Sequence, residues 1–130
     1  MFGKMDPFVK IEYKKIKLKT PTIDEGGETP VWDFTCTFDI ITMTDEDQIL
    51  FTCLEEDFLK DDYIGEATLK VRYLKDQSGK QIWVPLYEKE VKTADILMKT
   101  KFTSYNKELT PQDSFKSQVT GPLNKNNLAN

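Results

Sequence analysis

Charged side chains are the residues in this sequence that could do chemistry, and they are concentrated in two places. An acidic run occupies residues 55–62, and Asp6 stands directly before Pro7. By composition alone, the acidic run is typical of a solvated surface loop, and Asp6 is typical of the start of a turn. A lysine-rich segment at 10–19 is typical of an outward strand face that also discourages edge pairing.

The sequence contains no histidine. This excludes Ser-His-Asp and Cys-His catalysis, histidine-ligated zinc and an imidazole pH switch. Carboxylates are present, but no Gly-rich phosphate-binding motif or arrangement around a nucleophile accompanies them. We therefore expect a protein that is not an enzyme.

The two cysteines, Cys36 and Cys53, are too few for a Cys₄ or Cys₃ metal site or for a disulfide scaffold. Both stand in segments where apolar and polar residues alternate. The pattern favours small core residues of a protein in a reducing compartment.

Length and charge bound the class of protein. The 130 residues fit one domain, and 38% hydrophobic residues suffice for a core of ordinary size. A net charge of −4 argues against a general nucleic-acid binder. Because neither a signal peptide nor an 18-residue apolar stretch is recognisable, we expect an intracellular protein, cytoplasmic or attached to a cytoskeletal or organellar assembly.

Seven short segments carry strand signals, with turn residues between them, and convincing helical periodicity is absent. The clearest is 34–40, where Phe34, Cys36, Phe38 and Ile40 alternate with polar residues. The pattern predicts an all-β protein, an antiparallel Greek-key β-sandwich. The predicted strands are 8–13, 16–19, 34–40, 48–54, 64–72, 82–87 and 94–102.

The composition changes after residue 102. Residues 103–130 are rich in Ser, Thr, Asn, Gln and Lys, and their apolar residues are isolated. Such a segment cannot bury enough surface by itself to offset the entropy of ordering. We expect a domain at 1–102 followed by an extended polar tail at 103–130, disordered unless a partner binds it.

Several segments in sequence resemble the C2 domain, the calcium- and lipid-binding domain family. Residues 3–10, GKMDPFVK, are similar to the family's first loop and the strand after it. Residues 29–33, TPVWD, are similar to its Asn-Pro-x-Trp segment. Residues 55–65 resemble its acidic third loop, which closes on Asp-Asp-Phe-Ile-Gly, and IWVPLY at 82–87 resembles a late strand.

The resemblance implies an eight-stranded sandwich that binds Ca²⁺ in its loops and, through Ca²⁺, anionic membranes or proteins. The family places a strand upstream of the Gly-Lys-x-Asp-Pro segment, and this sequence lacks it. We expect the missing strand either to leave the domain one strand short or to be replaced by a neighbouring chain or the protein's own tail. An uncovered edge would favour association, so a partner is expected there.

The resemblance also implies a set of metal ligands. Asp6 corresponds to a first-loop ligand, and Glu55, Asp57 and Asp62 occupy third-loop ligand positions, with Asp61 beside them. An upstream aspartate is missing, and Glu55 replaces a shorter aspartate. Since Ca²⁺ takes six to eight oxygens, these carboxylates predict at most one weak ion, and Ca²⁺ is weakly bound or absent.

Two further groups are candidate lipid ligands. In some relatives a lysine-rich strand pair binds phosphoinositide heads, so the five lysines of residues 10–19 form the first group. Phe58 and Leu59, at the predicted tip of the acidic loop, could insert into a bilayer or a protein groove, or be partly buried on the domain's own surface. Trp32, Trp83, Phe34, Phe38 and Phe51 are expected in the core. The lysines are Lys10, Lys14, Lys15, Lys17 and Lys19.

Two functions follow from these observations. The first is a non-enzymatic C2-type docking module that acts mainly in protein–protein interaction, as a scaffold subunit of a larger assembly with a degenerate calcium site. The alternative is a calcium-dependent phospholipid-binding peripheral membrane protein.

Overall fold

The computed structural model describes residues 5–27 and 29–104, together with the backbone of 113–123. These described residues form eight strands and one short helix. All seven predicted strands are present, and the all-β prediction is confirmed. The elements are β1 Pro7–Tyr13, β2 Ile16–Lys19, β3 Phe34–Ile40, β4 Gln48–Glu55, β5 Asp62–Lys70, α1 Val71–Asp76, β6 Gln81–Glu88, β7 Val91–Ser104 and β8 Asp113–Leu123.

The strands form one curled antiparallel sheet with the order β2-β1-β4-β5-β6-β7-β8-β3. Between β5 and β6 the register contains the single pair Glu66 and Tyr87. This narrow junction divides the sheet into two layers, a first layer β2-β1-β4-β5 and a second layer β6-β7-β8-β3. The two layers pack as a β-sandwich, in agreement with the predicted fold.

Alternation along the strands explains which residues form the core between the layers. In β3, Cys36, Phe38 and Ile40 are buried while the residues between them are exposed. In β4, Ile49, Phe51 and Cys53 are buried in the same rhythm. Each successive side chain of a strand points to the opposite face, so one face of each layer is apolar and is covered by the other layer.

The two tryptophans have different environments. Trp32 is buried and its Nε1 donates to the Pro7 carbonyl oxygen at 3.1 Å. The expectation that Trp83 belongs to the core is wrong, because its side chain is 48% exposed. Val84 and Leu86 are buried, so the alternation of β6 directs Trp83 to the outer face of the second layer.

Part of the segment at 103–130 lies in the sheet. β7 continues to Ser104, and β8 pairs with β7 on one side and with β3 on the other. β8 therefore covers the edge of β3 with the chain's own residues, and the replacement of a missing strand by the tail stays a prediction. The domain boundary at residue 102 and a partner for the tail stay predictions, and residues 105–112 and 124–130 are outside the described part.

Candidate functional site

Three strands of the first layer end at the same edge and bring acidic residues together there. Pro7 of β1 pairs with Glu55 of β4, and Glu55 pairs with Asp62 of β5. The Glu56 backbone N–H donates to the Asp6 carbonyl oxygen at 2.9 Å, which joins the start of β1 to the acidic loop. Residues far apart in the sequence therefore meet at one end of the sandwich.

Several carboxylates at this end accept hydrogen bonds from the protein itself. Asp6 Oδ1 accepts the Glu25 backbone N–H at 2.5 Å. Asp57 Oδ1 accepts the N–H of its neighbour Phe58 at 2.6 Å. These bonds satisfy carboxylate oxygens with backbone donors, in the manner of the turns that aspartate favours.

Glu56, which is not among the predicted metal ligands, also makes contacts within the protein. Its Oε1 accepts the Thr22 hydroxyl at 2.9 Å and lies 3.9 Å from Lys19 Nζ. The only sequence signal for this role was its position inside the acidic run. Its contacts with Thr22 and Lys19 depend on how the loop at 20–33 folds against β1.

The predicted ligands do not form a ready-made metal site. Across residues 5–27 and 29–104, no three or more His, Cys, Asp or Glu side chains are grouped so as to hold a metal ion. The carboxylates of Asp6 and Asp57 are directed at backbone donors instead. As they stand, the residues do not fit Ca²⁺, which needs several oxygens around one point. The ligand set of Asp6, Glu55, Asp57, Asp61 and Asp62 stays a prediction.

Two apolar side chains in the acidic loop at this end are almost fully exposed. Phe58 is 97% exposed and Leu59 is 88% exposed, so the alternative of partial burial on the domain's own surface is wrong. They lie in the loop between β4 and β5, flanked by Asp57 on one side and by Lys60, Asp61 and Asp62 on the other. We call residues 57–62 the acidic tip.

The five lysines divide into two groups. Lys10 pairs with Lys19 across β1 and β2, and Glu12 pairs with Lys17, so these side chains share one face. With Leu18 they line a shallow groove of about 260 Å³. Lys14 and Lys15 form the tight turn between β1 and β2, and Lys14 has the positive φ of 52° that such hairpins need.

Some of the lysine charge is neutralised within the protein. Lys17 lies 3.9 Å from Glu12, and Lys14 lies 3.8 Å from Asp47. Lys19 Nζ lies 4.2 Å from the centre of the Phe8 ring, a cation–π contact. Lys10 makes no ion pair with a described residue, so it contributes unpaired charge to the groove.

A cleft at the junction of the layers was not predicted. It has a volume of about 670 Å³, and Tyr63 donates its hydroxyl hydrogen to Glu66 Oε1 at 2.8 Å beside it. Burial and the Glu66 carboxylate raise the pKa of Tyr63, so it stays a neutral donor. The cleft is lined by Tyr63, Glu66, Ala67, Thr68, Tyr87, Glu88, Lys89 and Glu90.

The described helix is short, and no helix in this part of the chain is long and apolar enough to cross a membrane.

A comparison with curated proteins finds a similar sequence in a plant. Elicitor-responsive protein 1 of Oryza sativa subsp. japonica is 31% identical to this chain over 72 residues. The matched region covers 53% of this chain and 45% of that protein, so this chain spans under half of the curated relative's length.

The strand order, the convergent loops and the motifs agree with the comparison by family. A family model described as the C2 domain matches residues 1–86, about two thirds of the chain. The match ends within β6, so it includes the acidic tip and the lysine groove. The chain therefore belongs to the C2 domain family, whose members are modules for calcium and lipid binding or for protein interaction.

Proposed function

We propose that this chain is a non-enzymatic docking module that binds a protein partner through the acidic tip, as a subunit of a larger assembly. The observation that supports this most is the exposure of Phe58 and Leu59, two adjacent apolar side chains in the acidic tip. Adjacent large apolar side chains that are fully exposed are typical anchors of an interaction site.

The charges around the tip favour a protein partner over an anionic membrane. Asp57, Asp61 and Asp62 flank the two apolar residues, with Lys60 as the one cation in the tip. Negative charge at the surface repels acidic lipid heads. A partner with an apolar groove bordered by Arg or Lys would match both the apolar anchors and the charge.

A degenerate calcium site is consistent with this function. Asp6 and Asp57 direct oxygens toward backbone N–H groups, so binding an ion would require breaking those bonds. The acidic end would then keep its negative charge at cellular Ca²⁺ levels, and the tip would keep its preference for a basic partner.

The experiment is site-specific photocrosslinking with the full chain in its own cells. A photoreactive phenylalanine analogue replaces Phe58, and the matched control carries it at Val91, which is 63% exposed at the start of β7. We expect one protein to be crosslinked from position 58 but not from position 91, and the crosslink to be lost in a D61K/D62K background. Crosslinking to lipid alone, or equally from both positions, would contradict the proposal.

The alternative, calcium-dependent phospholipid binding, is favoured by one arrangement. Asp6, Glu55 and Asp62 stand at the same end of adjacent strands, and the lysine groove lies on the same layer. An ion held there with Asp57 would neutralise the tip and attract lipid phosphate, and Lys10, Lys17 and Lys19 would add attraction of about 1 kcal/mol each.

Calorimetric titration and liposome co-sedimentation separate the two functions. The docking function predicts weak or no Ca²⁺ binding and no sedimentation with phosphatidylserine vesicles in either condition. Tight Ca²⁺ binding together with calcium-dependent sedimentation would favour the alternative. A D57N/D62N variant, which removes two predicted ligands, should abolish sedimentation only if the alternative is correct.

A further inference from the structure

We propose that the groove between β3 and β7 is a strand-acceptor site that binds the 113–123 segment of a second copy of this chain. In the structure this groove holds the chain's own β8, which pairs with β3 from Phe34 with Val119 to Ile40 with Asp113. On its other side the same segment pairs with β7, from Ser104 with Asp113 to Met98 with Val119. The groove therefore fits this segment along both edges.

β3 depends on whatever occupies the groove. Within the described residues, β3 pairs with β8 alone, since it is the last strand of the second layer. Its inward side chains Cys36, Phe38 and Ile40 belong to the core, so β3 remains apposed to the first layer by packing. When β8 leaves, the backbone donors and acceptors of β3 and β7 that faced it become unpaired, and such edges pair readily with an extended chain.

The segment in the groove has features of a strand that can detach. The sequence of 113–123, DSFKSQVTGPL, contains five of the polar residues Asp, Ser, Lys and Gln as well as Gly121 and Pro122. Proline cannot donate to a sheet, and glycine weakens a strand. The register with β7 is also interrupted between Ile96 and Met98, where Ile96 pairs with Leu123. Local opening of this strand therefore needs less free energy than global unfolding.

A second copy supplies the same segment with the same register. Exchange restores every backbone pair of the closed monomer, so its cost is chiefly the loss of one molecule's translational freedom, as in domain swapping. The eight residues 105–112 join the strands in one chain. A connection of this length gives an effective concentration of about the millimolar range, which sets the protein concentration at which exchange begins to compete.

Shortening the connection tests the proposal. Deleting 105–111 leaves one residue between Ser104 and Asp113, which are register partners, and a hairpin needs at least two. The matched control deletes 105–108 and leaves four residues, a permitted hairpin loop. We expect sedimentation velocity to show a folded dimer for the one-residue variant and a folded monomer for the control, with the same β-rich circular dichroism.

Each other outcome overturns the proposal. A folded monomer from the one-residue variant would mean that β8 does not need to occupy the groove in this register. An unfolded or aggregated one-residue variant beside a folded control would mean that the groove does not accept the segment from a second copy.

A disulfide reports the pairing directly. Ser117 is the register partner of Cys36, so S117C places two cysteines opposite each other across β3 and β8. In the one-residue background the oxidised S117C protein should run as a covalent dimer on a non-reducing gel, and in the control background as a monomer. The same variants with C36S should run as monomers in both, and any other pattern contradicts the exchange.

Discussion

The two layers of the sandwich each end in an edge strand, but these two strands are held in different ways. Among the strands that the structure describes, β2 has one neighbour, β1, and the two-residue turn at Lys14 and Lys15 joins them. In the described part, β3 pairs only with β8, which follows it at a great distance in the sequence. One layer is therefore completed by a local hairpin and the other by a long-range contact, which costs more loop entropy to form.

The largest expected effect comes from removing the long-range strand. A chain ending at Ser104 lacks β8, and β3 and β7 each lose a paired neighbour. Because β3 stays packed on the first layer through its inward side chains, we expect a loss of about 5 kcal/mol, less than the whole stability of a domain of this size, and a cooperative urea transition at a lower urea concentration. A chain ending at Leu123 is the control. If the shorter chain unfolded at the same urea concentration as the control, β8 would not be what completes the second layer.

The two layers share one core, so truncating a core side chain of either layer should lower the stability by a similar amount. Phe51 of the first layer and Phe38 of the second are fully buried. F51A and F38A each remove a large side chain from the same cluster, so each should lower the free energy of unfolding by about 3–5 kcal/mol in urea titrations. Values that differ by more than about 2 kcal/mol would indicate that the layers are not equally well packed.

Cys36 makes the second layer sensitive to alkaline pH. Burial raises the pKa of its thiol from 9.0 to about 11. The unfolded chain loses this proton before the folded chain does, so the free energy of unfolding should fall as pH rises from 9 to 11, by about 2–3 kcal/mol at most. The measurement is urea unfolding at several pH values for wild type and C36A. An equally steep decline in C36A would assign the effect to other groups.

The junction between the layers is tight at Gly65. A Cβ there would lie 3.1 Å from Leu86 Cβ and closer still to Thr93 Oγ1, so G65A should cost about 2 kcal/mol. The Thr93 hydroxyl donates to the Ile64 carbonyl oxygen at 2.6 Å, which limits its freedom to move away. The double variant G65A/T93A should lose less than the sum of the single variants in urea titrations. Strict additivity would mean that the strain lies elsewhere.

The smallest effect is expected at the acidic tip. F58A/L59A removes two side chains that are almost fully exposed, so the free energy of unfolding should change by less than about 0.5 kcal/mol. The same variant should lose the partner if the tip is a docking site. A thermal or urea transition shifted well beyond that limit would show that the two residues stabilise the domain.

Alternation of apolar and polar residues predicted β1 to β7 well, because a strand that is buried on one face shows a period of two in its sequence. The segment at 34–40 is the clearest case, since its predicted bounds are those of β3. The pattern failed for α1, where Val71 and Leu74 are buried within only six residues. A helix this short has too few turns to show a period of 3.6.

The candidate site was predictable in part. The C2 motifs identified Asp6 and the acidic loop, and β1, β4 and β5 do end together. The hydrogen bond from Glu25 to Asp6 and the contact of Lys19 with Glu56 were not predictable, because they depend on how the loop at 20–33 folds. The exposure of Trp83 was not predictable either, because alternation alone does not say which face of an aromatic-rich strand is covered.

The sequence by itself determined seven of the eight described strands, the family and the acidic run at 55–62, because these depend on residue type and on local spacing. Only the tertiary structure decided that residues 113–123 lie between β7 and β3, and that the carboxylates of Asp6 and Asp57 face backbone donors. Strand pairing across a long separation is chosen by the free energy of the whole sheet, and the propensity of a polar segment such as 113–123 says little about it.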